Sequence, residues 1–301
     1  MRKLPIALTM LAVTAGLAIS PVTASAKAQA VAACAFNLGS VTAGGHQVVQ
    51  RITATSPPTA GARAVTPNLY ADGAARISGS FINEAVPTGT SRRGRVVLGN
   101  AIYQHWIELG TNGAVTSSKL VRIGGGWSTF TDYEHSTFND SPTHPRTYEY
   151  ALRSDGILFR WAVGDIGDWT PYGSAPGFAA VKSMTLISKT ASYDMFLANT
   201  RGGALYTIRI PISAAMKPVV TKVRTGTWQG FEALVAGQCG NYGTVVVGID
   251  KDTKSAYMYT FGHANGLSTS ITGHGKVPGT FADPVYFRWA PPVKSDWLFG
   301  E

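Results

Sequence analysis

The segment YALRSDGILFRW, Tyr150 to Trp161, decides how the chain is read. Its centre, Ser154-Asp155-Gly156, asks for a tight turn, because Gly tolerates positive φ and Asp caps the bend with its own side chain. Apolar and aromatic residues crowd both flanks at strand density, so the segment reads as a β-hairpin. Four other segments place strand, polar turn and strand in the same order: NLYADGAARISGSF, HWIELGTNGAVTSS, MFLANTRGGALYTIRI and VGIDKDTKSAYMYTF. With the last turn residue as marker they fall at Gly73, Gly113, Gly156, Gly203 and Ser255, at intervals of 40, 43, 47 and 52 residues. A strand-rich unit recurring about every 40–50 residues lies in the β-propeller range.

A second landmark sits between the hairpins. GGGWSTF ends at Phe130, YGSAPGF at Phe178, TGTWQGF at Phe231 and GKVPGTF at Phe281. Each Gly-containing loop feeds an aromatic and then a strand-like run, which makes four strands per unit, the content of a propeller blade. The last run, Phe281 to Trp289, opens a unit with no hairpin after it, and the first hairpin, Asn68 to Phe81, lacks an opening strand. Joining them predicts an all-β chain: a five-bladed β-propeller over residues 65–301, closed by N- and C-terminal strands, preceded by an N-terminal extension and strand over 27–64. An irregular β-sandwich with coincidental spacing is the competing architecture.

Composition agrees with an all-β chain. The chain has 301 residues, 45% hydrophobic and only 14% charged, with 34 Gly, which suits a turn-rich β protein with a large core better than a helical one. Residues 1–26 read as a secretory signal: Arg2 and Lys3, an apolar run from Leu4 to Ile19, then Ala24-Ser25-Ala26 as cleavage site. The competing reading, a retained anchor, is disfavoured because the run is short for a spanning helix. The expectation is an extracellular monomer with no membrane association after signal removal. Two cysteines, Cys34 and Cys239, have one possible pairing in an oxidising compartment. Val31-Ala32-Ala33-Cys34 also matches a lipobox, which would make Cys34 a lipidated anchor instead.

The formal net charge of +9 draws an exported protein to anionic surfaces such as cell-wall polymers. Nucleic acid as a partner is excluded, because the one tight basic run, Arg92-Arg93-Gly94-Arg95, lies in a Gly/Ser/Thr loop without interleaved aromatics. The histidines, His46, His105, His135, His144, His263 and His274, show no zinc-site spacing, and no metal or cofactor is expected. No G-x-S-x-G elbow is present.

The pieces GDWTPYGSAPGF with RSDGILFRW, and TGTWQGF after RGGALYTIRI, resemble the tachylectin-type five-bladed propeller lectins. The match covers roughly Phe130 to Phe231; the first and last units, with GAARIS and KSAYMY, lack the family's Gly-Leu-Tyr. The chain also resembles exported proteins of filamentous soil bacteria, which implies no activity. The lectin resemblance implies non-catalytic binding of carbohydrate, including N-acetylated sugars. Stacking would come from Trp127, Trp169 and Trp228 in the linkers, and polar contacts from Asp155, Asn112 and Asn199 near the hairpin turns. The alternative is a propeller glycoside hydrolase, in which acids that follow the linker aromatics meet on the axis: Asp132 with Glu134 beside it, Glu232 and Asp283. A scaffold that binds other exported proteins through one face leaves no mark in the sequence.

Overall fold

Strand formation begins at β1 (Ala35–Val41), β2 (Gln47–Thr53) and the short β3 (Thr59–Ala60) and β4 (Ala64–Thr66). Next come β5 (Ala75–Val86), β6 (Gly89–Leu98), β7 (Ala101–Gly110) and β8 (Val115–Gly125). They are followed by β9 (Phe130–Phe138), β10 (Arg146–Arg153), β11 (Leu158–Val163) and β12 (Trp169–Ala175). Then come β13 (Val181–Lys189), β14 (Tyr193–Thr200), β15 (Leu205–Pro211) and β16 (Val219–Arg224). The series ends with β17 (Ala233–Cys239), β18 (Gly243–Asp250), β19 (Ser255–Phe261), β20 (Ile271–Lys276) and β21 (Val285–Ala290). These come from a computed structural model that describes residues 33–139, 146–164, 167–213 and 215–300. The signal-like segment 1–26 and His144 lie outside the described residues.

The chain is all-β, and its strands fall into four-stranded antiparallel units. β9–β12, β13–β16 and β17–β20 are separate sheets, each ordered first strand to last. β5–β8 form a unit of the same order, and the remaining unit runs β21-β1-β2-β3, with β4 also paired to β2. A short parallel pairing, Trp289↔Phe81 and Ala290↔Ile82, joins these last two units into one nine-stranded sheet. We number the units 1 to 4 from β5–β8 onward, and call the one begun by β21 unit 5. Their first strands pack in succession: β5 on β9, β9 on β13, β13 on β17, β17 on β21 and β21 on β5.

The final strand therefore completes its four-stranded unit with residues 35–66, and meets the hairpin Asn68 to Phe81 through the short parallel pairing at Phe81. Residues 35–66 hold several strands, not one, and the Gly73 turn merely leads into β5. The other hairpins are real, but not all are in phase. Gly156, Gly203 and Ser255 mark the turn between the second and third strands of their units, whereas Gly113 lies between the third and fourth. A two-residue Gly turn reports only that two strands are adjacent; nothing local to it says which two.

Central strands are buried on both faces where their sheet packs between two neighbouring units. Val245, Val246 and Val247 of β18 are all fully buried, a continuous apolar run with no alternation. The apolar side chains form five layers, one at each junction. Tyr150 and Leu158 meet Phe196 and Ile208 between units 2 and 3, and Leu197 and Val223 meet Leu234 and Val246 between units 3 and 4. Val247 and Ile249 meet Leu38 and Tyr286 between units 4 and 5, Val41 and Phe287 meet Phe81 and Val96 between units 5 and 1, and Val97 and Ile102 meet Tyr133 and Ala151 between units 1 and 2.

One main-chain device recurs at every junction. The turn between second and third strands carries a residue in the left-handed region, Gly45, Gly99, Gly156, Gly203 or Lys254, with φ from 52° to 87°. The carbonyl there, or one residue on, accepts the N–H of the aromatic that precedes the next unit. Tyr70 donates to Gly45 (3.1 Å), Trp127 to Asn100 (3.2 Å), Phe178 to Gly156 (2.9 Å), Trp228 to Gly203 (3.0 Å) and Phe281 to Lys254 (3.0 Å). The Gly-plus-aromatic linkers of the sequence are thus the pins between successive units.

Cys34 and Cys239 form a disulfide with Cα atoms 5.2 Å apart, tying the start of β1 in unit 5 to the end of β17 in unit 4. Among the described residues, no helix is long and apolar enough to cross a membrane.

Candidate active site on the axis of the first strands

The first strands lie side by side without main-chain pairing between most of them, so their inner edges present N–H groups that need acceptors. Side chains supply these acceptors. Met184 N–H of β13 donates to Asp132 Oδ2 of β9 (2.7 Å), Leu186 N–H donates to Glu134 Oε1 (3.2 Å), and Leu234 N–H of β17 donates to Ser183 Oγ (3.0 Å). Asp132 and Glu134 share a face of β9 because they are two residues apart. Around them lies a polar pit of about 80 Å³, lined by the N-terminal halves of all five first strands, including Ser78, Asp132, Glu134, Ser183, Glu232 and Arg288, with Lys251 beside them. It is small beside the roughly 300–1,000 Å³ of ordinary ligand pockets.

The floor of the pit is tied to the C-terminal tail. Arg288 lines the pit and donates to both oxygens of Asp296 (2.6 and 2.9 Å), which also takes Lys189 Nζ (2.7 Å). Lys189 N–H donates to Leu298 O, and Gly300 N–H to Ile187 O (both 3.0 Å), so the tail runs along the inner edge of β13 at its C-terminal end. Access to the pit is therefore from the N-terminal ends of the first strands.

Electrostatics divide the pit acids. Burial raises the Asp132 carboxyl to about 7 against the pull of the Met184 and Tyr133 N–H groups and Lys251. Burial, then the neighbouring Asp132 charge, raises Glu134 to about 8 despite Arg288. The two form a coupled pair that keeps a proton near neutrality. Glu232 is ion-paired with Lys182, and its Oε2 accepts the Lys251 N–H (2.7 Å). Burial lowers Lys251, whose ammonium lies within coulombic reach of both Glu232 and Asp132.

Of the three acids expected on the axis, Asp132 and Glu232 line the pit. Asp283 does not: it accepts Arg63 (2.6 Å) and Ser40 Oγ (2.5 Å) on the flank of unit 5. Sequence reasoning missed Lys182, Lys251 and Arg288, which come from three different units and carry no local signal.

The residues expected to bind sugar from loops are dispersed. Trp127 and Trp228 are buried, 4% and 5% exposed, at the junction pins. Asn199 is wholly buried and donates from Nδ2 to Trp228 O and Phe231 O (both 2.8 Å). Asn112 caps its own turn through Ala114 N–H (3.0 Å), and Asp155 accepts Arg153 (2.6 Å) and Ile157 N–H (3.2 Å). Trp169 alone is half-buried, stacked on Tyr133 at 6.4 Å and 6° with the Arg95 guanidinium 5.4 Å from its ring.

No family model and no curated sequence matches the chain. Solved structures similar to it include the GH32 beta-fructofuranosidase of Bombyx mori, at 11% identity over 80% of this chain with a TM-score of 0.43. An alpha-L-arabinofuranosidase from Lactobacillus brevis is similar at 11% identity over 66% of this chain and 73% of that one, with a TM-score of 0.44. The chain spans 63% of the length of the Bombyx mori enzyme.

Proposed function

We propose that the chain is an exported, five-bladed β-propeller, closed by β21 against the N-terminal strands, and that it cleaves glycosidic bonds at the axial pit. Five apolar layers for five units support the ring, since an open stack of five would have four. The disulfide supports an oxidising compartment.

One observation carries the activity. An acid that keeps its proton near neutral pH, Asp132 in its pair with Glu134, shares a pit with an ion-paired carboxylate, Glu232, and the Lys251 ammonium, held on the Pro284 carbonyl, lies within coulombic range of both. Glycoside hydrolysis needs that division: one carboxylic acid to protonate the leaving oxygen, and one carboxylate to act as base or nucleophile. Asp132 takes the first role and Glu232 the second. Because the pit is small, the substrate sits over its mouth and presents the scissile oxygen downward. Carbohydrate, free or in a cell-wall polymer, is thus the partner.

Reducing-sugar release from a panel of plant and microbial polysaccharides tests this. Asp132→Asn and Glu232→Gln should each cost about 10²-fold or more in kcat. A folded protein that releases nothing from any member of the panel, yet binds sugars on a glycan array, would return the reading to a lectin.

A further inference from the structure

A larger cavity, about 250 Å³, lies between units 1 and 2, and the pit chemistry does not use it. Its polar wall comes from β9 and β10. His135 and Thr137 share a face of β9, and their direct cross-strand partners on β10 are Glu149 and Thr147. Glu149 is wholly buried and saturated: Oε1 takes the Arg95 guanidinium and His135 Nδ1 (2.9 Å), and Oε2 takes the Tyr133 hydroxyl. Burial alone would raise its carboxyl, but Arg95, His135 and these hydrogen bonds hold it below the usual range. His135 Nδ1 faces both Glu149 Oε1 (2.9 Å) and Arg95 Nη1 (3.1 Å), and its Nε2 lies 2.9 Å from Thr137 Oγ1; with Nδ1–H donated to the Glu149 carboxylate, Nε2 is the acceptor for the Thr137 hydroxyl. Thr137 Oγ1 also meets Thr147 Oγ1 at 3.1 Å, and both threonines line the cavity with Gln104 and Arg93.

A hydroxyl on an imidazole whose far nitrogen is held by a buried carboxylate is the arrangement that activates an oxygen nucleophile. We propose that Thr137, His135 and Glu149 form a second, acyl-transfer site that hydrolyses short-chain acyl esters. Thr137 Oγ1 attacks the ester carbonyl carbon as its proton passes to His135 Nε2. The tetrahedral oxyanion collapses, the carbon–oxygen bond to the alcohol breaks, and the proton goes from Nε2 to the departing alcohol. Water, deprotonated by the same nitrogen, then releases the carboxylic acid and restores the hydroxyl. At about 250 Å³ the cavity suits a small ester. Turnover is modest by design: Arg95 shares the carboxylate that would steady the imidazolium, and the nucleophile is a secondary alcohol. This site stands apart from the axial pit and does not depend on the glycosidase reading.

The full chain, incubated with a fluorophosphonate probe and separately with p-nitrophenyl acetate and butyrate, decides the matter. One adduct is expected, mapped by peptide mass to Thr137, with hydrolysis that Thr137→Val abolishes and His135→Ala lowers at least 10²-fold. Thr137→Ser, with a less hindered primary hydroxyl, should label faster than the parent, a result that no scaffold role for Thr137 produces. Circular dichroism and the melting temperature establish that each variant is folded. No adduct on folded parent protein, an adduct elsewhere only, or hydrolysis unchanged in folded Thr137→Val would each overturn the proposal.

Discussion

Lys254 holds the position that Gly fills at the other junction turns, with φ of 52°. A Cβ in that region costs about 1 kcal/mol against glycine, partly offset by the larger freedom glycine has when unfolded. Lys254→Gly should therefore stabilise the protein by about 0.5–1 kcal/mol, read as a higher urea midpoint at unchanged m-value. Asn199 makes the opposite case. Its amide satisfies two buried carbonyls, and Asn199→Ala should cost about 1–3 kcal/mol by the same measurement, with no change in sugar binding. The pit acids show how one residue serves two ends. Asp132 and Glu134 meet the N–H groups of the next first strand, and the burial which that task imposes is also what keeps a proton on the pair.

At the scale of elements, the tail after β21 matters most. Val293–Ser295 forms a single 3-10 turn, after which Asp296 joins two buried cations, Arg288 and Lys189, and Leu298 enters the core between units 2 and 3. Asp296→Ala strands both cations, and breaking such a buried network costs about 3–5 kcal/mol. The same variant frees Arg288 to turn to Glu134, so the Glu134 carboxyl should titrate below its present value of about 8, visible as a shifted carboxyl carbon resonance in an NMR titration. If Glu134 does not move, Arg288 is not the link between tail and pit.

For the whole molecule, the disulfide closes a loop of 205 residues between units 4 and 5. In the chain-entropy account such a cross-link contributes about 5 kcal/mol, so Cys34→Ala with Cys239→Ala should lower the urea midpoint sharply, and dithiothreitol should do the same to the parent. The pH dependence of stability follows from Asp132, Glu134 and Asp296. Asp132 and Glu134 have folded values raised from about 4 to about 7 and 8, so the folded state holds protons that the unfolded chain has released. Their contribution is fully present below about pH 4 and is lost as pH rises through 7–8. Asp296 is depressed by Arg288 and Lys189, so its contribution is present above about pH 4 and lost as pH falls further. Urea midpoints should fall from pH 5 to pH 8.5 in the parent, and Glu134→Gln should flatten that slope.

The sequence by itself determined the all-β class and the hairpins at Gly156, Gly203 and Ser255 in their proper places, and it narrowed Cys34 to two readings, of which the structure shows the disulfide with Cys239. Turn chemistry and apolar density are local properties, written within ten or so residues. It also marked Asp132 and Glu232, since both follow a linker aromatic at the head of a first strand. Only the tertiary structure decided the frame of the units, because the Gly73 and Gly113 turns obey the same local rule at different places in a sheet. It also decided that β21 completes its four-stranded unit with residues 35–66, that Trp127 and Trp228 are buried at the junction turns, and that Asp283 pairs with Arg63 away from the pit. Arg288, Lys251 and Lys182 converge from separate units, and His135 faces Glu149 across a strand pair. Which side chains face one another across a junction depends on register and packing between segments far apart in the chain, and no window of sequence contains both sides of such a contact.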